Sequence, residues 1–357
     1  MDFGIVFTSH VEQSWKHAVL AEQLGYSHAW FADSHMIYSD VYASMALAAE
    51  HTKTIKLATG VAVAGTRIAP VIAHSIATIN RLAPGRVILG IGTGHTARRV
   101  MGMPAVSLRE FRETLTVCRG LLHGEEVEYR EGERKRQIRF LHLDKGYVDV
   151  THPVPIHVAA SHPKALEVVG ELADGFTTFL YSPDPAQFSW TLDQVRKGAE
   201  KHGRVLQDFY TSAISMPCVM RQGETLDSSR VRALTGPYVM TMVHYLYEAV
   251  KRAEDIPPAY QEIFHAYQAH VEQMQTPADR RYQEVHDGHA IYTRPDEERF
   301  VTSRMIEESC LVGSREEIIR RIRAFAEAGL NQFIILPPWG HVEETMVEFA
   351  REIIAHY

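Results

Sequence analysis

The feature that most constrains this chain is an alternation sustained from one end to the other, in which short β-branched or apolar runs are each followed by a segment of helical periodicity. Parallel strands need a crossover between them, and the crossover is usually a helix, so this alternation is the pattern of parallel βα units. Eight strand candidates stand out, at 3–7, 28–32, 55–64, 86–91, 156–160, 176–179, 210–219 and 333–336. Eight units predict a closed (β/α)8 TIM barrel rather than an open sheet, in one domain over residues 1–357. Beyond the alternation itself the chain shows no repeat of the 20–50-residue kind that marks solenoids.

Local signals support the helices. In Gly313-Ser314-Arg315-Glu316-Glu317, Ser314 can cap the first free amides while Glu317 reaches back. Ile318, Ile322 and Phe325 then share one face, and Gly329 ends the helix. Val342, Met346, Phe349 and Ile353 form a similar stripe in the last helix. These stripes are read as core and carry no chemistry.

Two stretches break the rhythm of short loops. Residues 124–154 are highly charged and contain a predicted β-hairpin between strands 4 and 5. Residues 225–305 are helical by pattern and rich in Tyr, His and Met, among them Tyr238, Met242, His244, Tyr245, Tyr260, Phe264, His265 and Tyr267. An insertion after strand 7 emerges on the face where βα loops build active sites, so it is expected to be either a lid over the pocket or a dimer surface.

With 45% hydrophobic and 23% charged residues in 357, the chain can bury a large core and has no disorder bias. A net charge of −7 without a basic block argues against nucleic acid as a partner. Cys118, Cys218 and Cys310 are far apart, with no C-x-x-C pair, and are expected to be reduced and buried. There is no basic leader followed by an apolar stretch and no apolar run of membrane-spanning length, so a cytoplasmic protein with no membrane partner is expected.

Four segments carry chemistry. Gly90-Ile91-Gly92-Thr93-Gly94-His95 leaves the backbone bare where strand 4 ends. A dinucleotide reading of this G-x-G would need a helix at once and an acid about 20 residues on, whereas the next helix is expected to begin near Ser107. The strand at 28–32 runs into Asp33-Ser34-His35, an acid and an imidazole at the C-terminal edge, where His35 can exchange protons and Asp33 can orient it. The alternative is that Asp33 simply caps the loop. Gly60 interrupts an apolar strand before Val61, which marks a bulge or a close backbone approach. Ser161-His162-Pro163-Lys164 opens a helix whose free amides, with Ser161 and Lys164, suit a phosphate.

Taken with Thr54–Val61, Gly85–Gly94, Ala159–Ala165, Glu171–Gly175, Leu311–Glu317 and Ala328–Leu330, the sequence resembles the luciferase-like monooxygenase superfamily, nearest its methylenetetrahydromethanopterin reductase-like branch. The resemblance spans nearly the whole chain apart from the two excursions. It implies FMN or coenzyme F420 across the barrel mouth, a small-molecule substrate, a homodimer and, for some members, a separate reductase that supplies reduced cofactor. Asp33 and His35 fall on the family's acid–histidine position, Gly60-Val61 on its ring-facing bulge with a non-proline cis peptide, Gly92, Thr93 and Gly94 on the pocket wall, and Ser161, His162 and Lys164 on the phosphate loop. The chain departs from the deazaflavin pattern in three places: Ser34 separates Asp33 from His35, His95 stands where an acid is usual, and His162 stands where a glycine is usual. His95 is then expected to be a second polar group on the ring or substrate. FMN and F420 both remain open. Two rival readings are a non-catalytic flavin-binding barrel and a metal-dependent barrel hydrolase; no H-x-H or H-E-x-x-H ligand arrangement is present, and no metal is expected.

Overall fold

In the computed structural model, which describes residues 1–180, 182–250 and 256–357, the eight expected βα units close into a barrel. Its strands are β1 (Asp2–Phe7), β2 (His28–Phe31), β3 (Lys56–Thr59), β4 (Val87–Gly92), β5 (Ile156–Ala159), β6 (Gly175–Phe179), β7 (Tyr210–Ser215) and β8 (Gln332–Ile335). Each pairs in parallel with its sequence neighbours. Leu57 opposite Val87 joins β3 to β4, and Phe3 opposite Phe333 joins β8 back to β1.

The two-residue period of a strand decides which side chains face the helices and which fill the barrel. On β1, Ile5 and Phe7 pack outward into the helix-facing core, whereas Val6 belongs to the inner cluster with Trp30, Ala58, Ile88, Ile214 and Ile334. Trp30 is fully buried and fills much of this interior. A Cβ on Gly90 would come within 2.9 Å of its ring and would overlap the Thr59 carbonyl oxygen, so the glycine on β4 makes room for the indole.

Two expected strands are shorter than their apolar runs. The run at 55–64 is broken at Gly60-Val61, and Ala62–Val63 then resumes against Ile91 and Gly92. The run at 210–219 leaves the barrel at Met216. Pro217–Val219 pairs instead with Leu311–Gly313 in a separate parallel ribbon. That ribbon brackets the insertion, bringing together the points where it leaves and rejoins the barrel.

The insertion is helical as expected, comprising Ser229–Ala249, Pro258–Glu272, Arg281–Val285 and Ser303–Ser309, with residues 251–255 outside the described residues. Its core residues Leu234, Tyr238, Met242, Tyr260 and Tyr267 form one cluster with the inward side chains of the barrel. The Tyr238 hydroxyl donates to the Leu180 and Ile214 carbonyls, at 3.2 and 3.3 Å. The insertion therefore covers the C-terminal mouth. The excursion at 124–154 contains the expected hairpin, Val127–Glu131 against Arg134–Ile138.

The expected caps form, because a cap needs only residues within one turn of each other. Ser314 with Glu317 and Ser107 with Glu110 both make reciprocal capping boxes. One local expectation fails: a helix does begin directly after Gly94, but His95–Arg99 is a single turn that ends before Gly102 (φ +70°) and Pro104. All three cysteines are free and buried. Among the described residues no helix is long and apolar enough to cross a membrane.

Candidate active site

Parallel strands all open on the same face, so the loops after their C-terminal ends converge. At the end of β3, Gly60-Val61 is a cis peptide, at the position where the bulge was expected. The end of β4 lies against it: a Cβ on Gly92 would sit 3.2 Å from Val61 Cγ2 and 3.5 Å from the Ala159 Cβ on β5. Gly94 has φ +81°, and a Cβ there would overlap Val63 Cγ1. These glycines let three strand ends meet with their backbones bare. The Thr93 carbonyl accepts from the Val106 amide at 3.1 Å.

Asp33 and His35 do not form the couple expected of them. The Asp33 carboxylate, almost fully buried, accepts from Arg67 Nη1 at 2.8 Å and from the Val63 amide at 3.3 Å. The other arm of Arg67 reaches Asp40 Oδ2 at 2.7 Å, and its guanidinium lies 4.9 Å from the Tyr42 ring centre. Burial raises the Asp33 pKa, and the Arg67 charge opposes that rise. Asp33 is thus a positioning residue that ties the loop after β2 to the segment following the bulge.

His35 is half-buried, with Nε2 3.1 Å from Met101 Sδ. A thioether can only accept, so the proton sits on Nε2 and Nδ1 is an acceptor. That Nδ1 is buried and has no partner among the described residues.

His95, Ser161 and His162 are brought together by a residue of the insertion. The Tyr245 ring lies 4.8 Å from the His95 ring, and its hydroxyl is 2.8 Å from His162 Nε2 and 3.5 Å from Ser161 Oγ. Burial lowers the His95 pKa to about 4, against the pull of Glu248, whose Oε2 is 3.7 Å from Nε2. His95 is therefore neutral at pH 7. The helix Pro163–Leu172 starts as expected, with no side chain capping its first amides, and Lys164 is exposed on its first turn.

Sequence reasoning missed Arg67, Met101, Tyr245 and Glu248. Tyr245 and Glu248 lay in a stretch already noted for its aromatic content, but nothing local said which face of their helix meets the mouth. It also missed His10, whose ring stacks on Trp339 at 4.9 Å and whose Nδ1 is buried without a partner among the described residues. A separate cavity of about 580 Å³, open to solvent and lined by Asp227, Arg232, Tyr292 and His341, contains none of the residues expected at the site.

A 5,10-methylenetetrahydromethanopterin reductase of Archaeoglobus fulgidus is 26% identical over 363 positions, covering 99% of each chain. Another, of Methanolobus tindarius, is 36% identical over 208 residues, so that this chain spans 61% of that relative's length. The coenzyme F420 dependent tetrahydromethanopterin reductase of Methanopyrus kandleri superposes over 100% of this chain and 99% of its own, with a TM-score of 0.71 at 20% identity, a likeness of fold. The family model described as luciferase-like monooxygenase matches residues 1–332, and the chain belongs to that family.

Proposed function

We propose that the chain is a two-electron oxidoreductase that holds coenzyme F420 or FMN across the barrel mouth and acts on a small organic substrate beneath the helical insertion. The observation that carries this reading is the set of buried ring nitrogens at the mouth that make no hydrogen bond among the described residues: His10 Nδ1, His35 Nδ1 and His95 Nε2. Buried polar atoms are normally paired, and a ring with a polar edge and a flat face fits both these atoms and the bare backbone beside Gly92. That the similar proteins are reductases, one of them named for F420, favours F420 over FMN.

When bound, such a ring stores two electrons and passes them as hydride, and a flavin adds one-electron chemistry with oxygen. The chain supplies the rest. His35 Nδ1 takes up a proton and returns it to a substrate heteroatom, while Met101 holds the ring by Nε2. His95, kept neutral, hydrogen-bonds without adding charge. Ser161, Lys164 and the free amides at Pro163–Leu172 hold the cofactor phosphate. The insertion excludes water from the mouth. The proposal includes a cytoplasmic homodimer, with a separate reductase needed only for FMN.

Titration of ligand-free protein with F420 and with FMN, followed by fluorescence, tests the reading. F420 should bind at least about tenfold more tightly, a difference of about 1.4 kcal/mol. Tighter binding of FMN would reverse the cofactor preference, and binding of neither would overturn the proposal.

A further inference from the structure

Beside the mouth, on the inner side of the insertion, three histidines converge that the redox reading does not use. His244 comes from the helix Ser229–Ala249, and His286 and His289 from the turn after the helix Arg281–Val285. One ring nitrogen of each lies within 4.8 Å of the others. We propose that His244, His286 and His289 form a site for a divalent transition-metal ion of the zinc class, with three imidazole ligands and one position left open.

For His244 and His286 the hydrogen bonds behind the rings choose the ligand atoms. His244 Nε2 lies 3.1 Å from Glu297 Oε1, which also accepts from the Tyr267 hydroxyl at 3.0 Å. His286 Nε2 lies 3.1 Å from Glu248 Oε1. Carboxylates accept, so both protons sit on Nε2 and each Nδ1 presents a lone pair. The Nδ1 atoms of all three rings are buried and have no partner among the described residues. Such a set of unpartnered acceptors, on rings that each bring one nitrogen within 4.8 Å of the others, would be completed by a cation. A carboxylate behind a ligating imidazole is the usual arrangement that fixes its tautomer and raises its basicity. Glu297 is only 1% exposed, so this carboxylate is buried where an imidazole ring is its partner.

The dimensions fit a small adjustment. Zinc–nitrogen bonds of about 2.0–2.1 Å place tetrahedral ligands about 3.4 Å apart, so the nitrogens need to close by at most about 1.4 Å. Three neutral imidazoles select zinc, cobalt, nickel or copper rather than magnesium or calcium. Three ligands leave a fourth position for water or a substrate oxygen.

The ion would also staple the insertion. Tyr38, in the loop after β2, donates to the His289 carbonyl at 2.7 Å, and Glu248 faces both His286 and His95. The ligands thus sit where the insertion meets the loops after β2 and β4. Sequence inspection passes over them because the pair is spaced H-x-x-H and the third ligand lies far upstream. The inference does not depend on which cofactor the mouth holds.

The test uses tag-free, chelator-treated full-length protein, dialysed against limiting Zn²⁺ and analysed by elemental mass spectrometry and calorimetry. Cobalt in place of zinc gives a visible spectrum that reports imidazole coordination. The expected result is one ion per chain and a melting temperature that rises with zinc. His289→Ala should weaken binding by more than the roughly 10–100-fold that loss of an outer partner costs. His286→Ala/His289→Ala should abolish it, with the circular dichroism spectrum unchanged. Failure of the wild type to retain zinc or cobalt overturns the proposal, as does equal retention by the folded variants.

Discussion

Replacing Arg67 by leucine should destabilise the protein in a way that depends on pH. The Asp33 side chain is 1% exposed and that of Arg67 is 19% exposed, with 2.8 Å between them. Removing one partner of a fully buried pair costs about 3–5 kcal/mol. Because Arg67 keeps some contact with water, about 2–4 kcal/mol is expected here. An unfolding entropy of about 2.1 cal/mol/K per residue gives about 0.75 kcal/mol/K for this chain, so a loss of 3 kcal/mol lowers the melting temperature by about 4 °C. The sign with pH follows from Asp33. Its pKa is already raised by burial, and losing the opposing charge of Arg67 raises it further. The folded variant then binds a proton more tightly than the unfolded chain, so its stability is greatest at low pH and falls as pH rises through the raised value. Urea midpoints of wild type and variant between pH 5 and 8 measure this, and the gap should widen toward pH 8. Adding Asp33→Asn should close most of it. A gap that is constant with pH and not rescued by Asp33→Asn would show that Arg67 acts through Asp40 and Tyr42 alone.

Other outcomes are expected at the mouth and on the outer shell. Ser161→Ala should weaken F420 binding by about 0.5–1.5 kcal/mol, the net scale of one hydrogen bond, and unchanged affinity for both F420 and FMN would remove Ser161 from the site. His35→Ala should lower turnover by about 10²–10⁴-fold with cofactor binding largely kept; full activity toward both oxygen and organic acceptors in stopped flow would exclude a proton-transfer role. Glu22 accepts from the amides of Lys53, Thr54 and Ile55 at 2.9, 2.6 and 2.9 Å. Partial burial pushes its pKa up, but these bonds and the Thr54 hydroxyl outweigh that and bring it to about 2. Its contribution is present above the ordinary value of 4.5 and is lost as pH falls toward 2. Glu22→Gln should therefore flatten the decline in urea midpoint between pH 6 and 3, and an unaltered slope would contradict the assignment.

Features that depend on residues close together in the chain were legible in the sequence. The eight βα units follow from side-chain periods of two and 3.6, and the capping boxes at Ser107 and Ser314 need residues only three apart. The break at Gly60-Val61 and the bare backbone at Gly92 and Gly94 were legible too, since glycine at a strand end or inside an apolar strand signals close backbone approach. The tertiary structure alone decided the partners. Pro217–Val219 reads as a continuation of β7, yet its hydrogen bonds go to Leu311–Gly313, because the strand leaves the barrel where the insertion begins. Asp33 has His35 two residues away and binds Arg67 instead. Tyr245 links His95 to Ser161 and His162, which are neighbours in the chain, and His244 meets His286 and His289 only when its helix folds over the mouth. A side chain's periodicity tells which way it faces relative to its own element. What it meets there depends on how distant elements pack, and sequence separation carries no record of that.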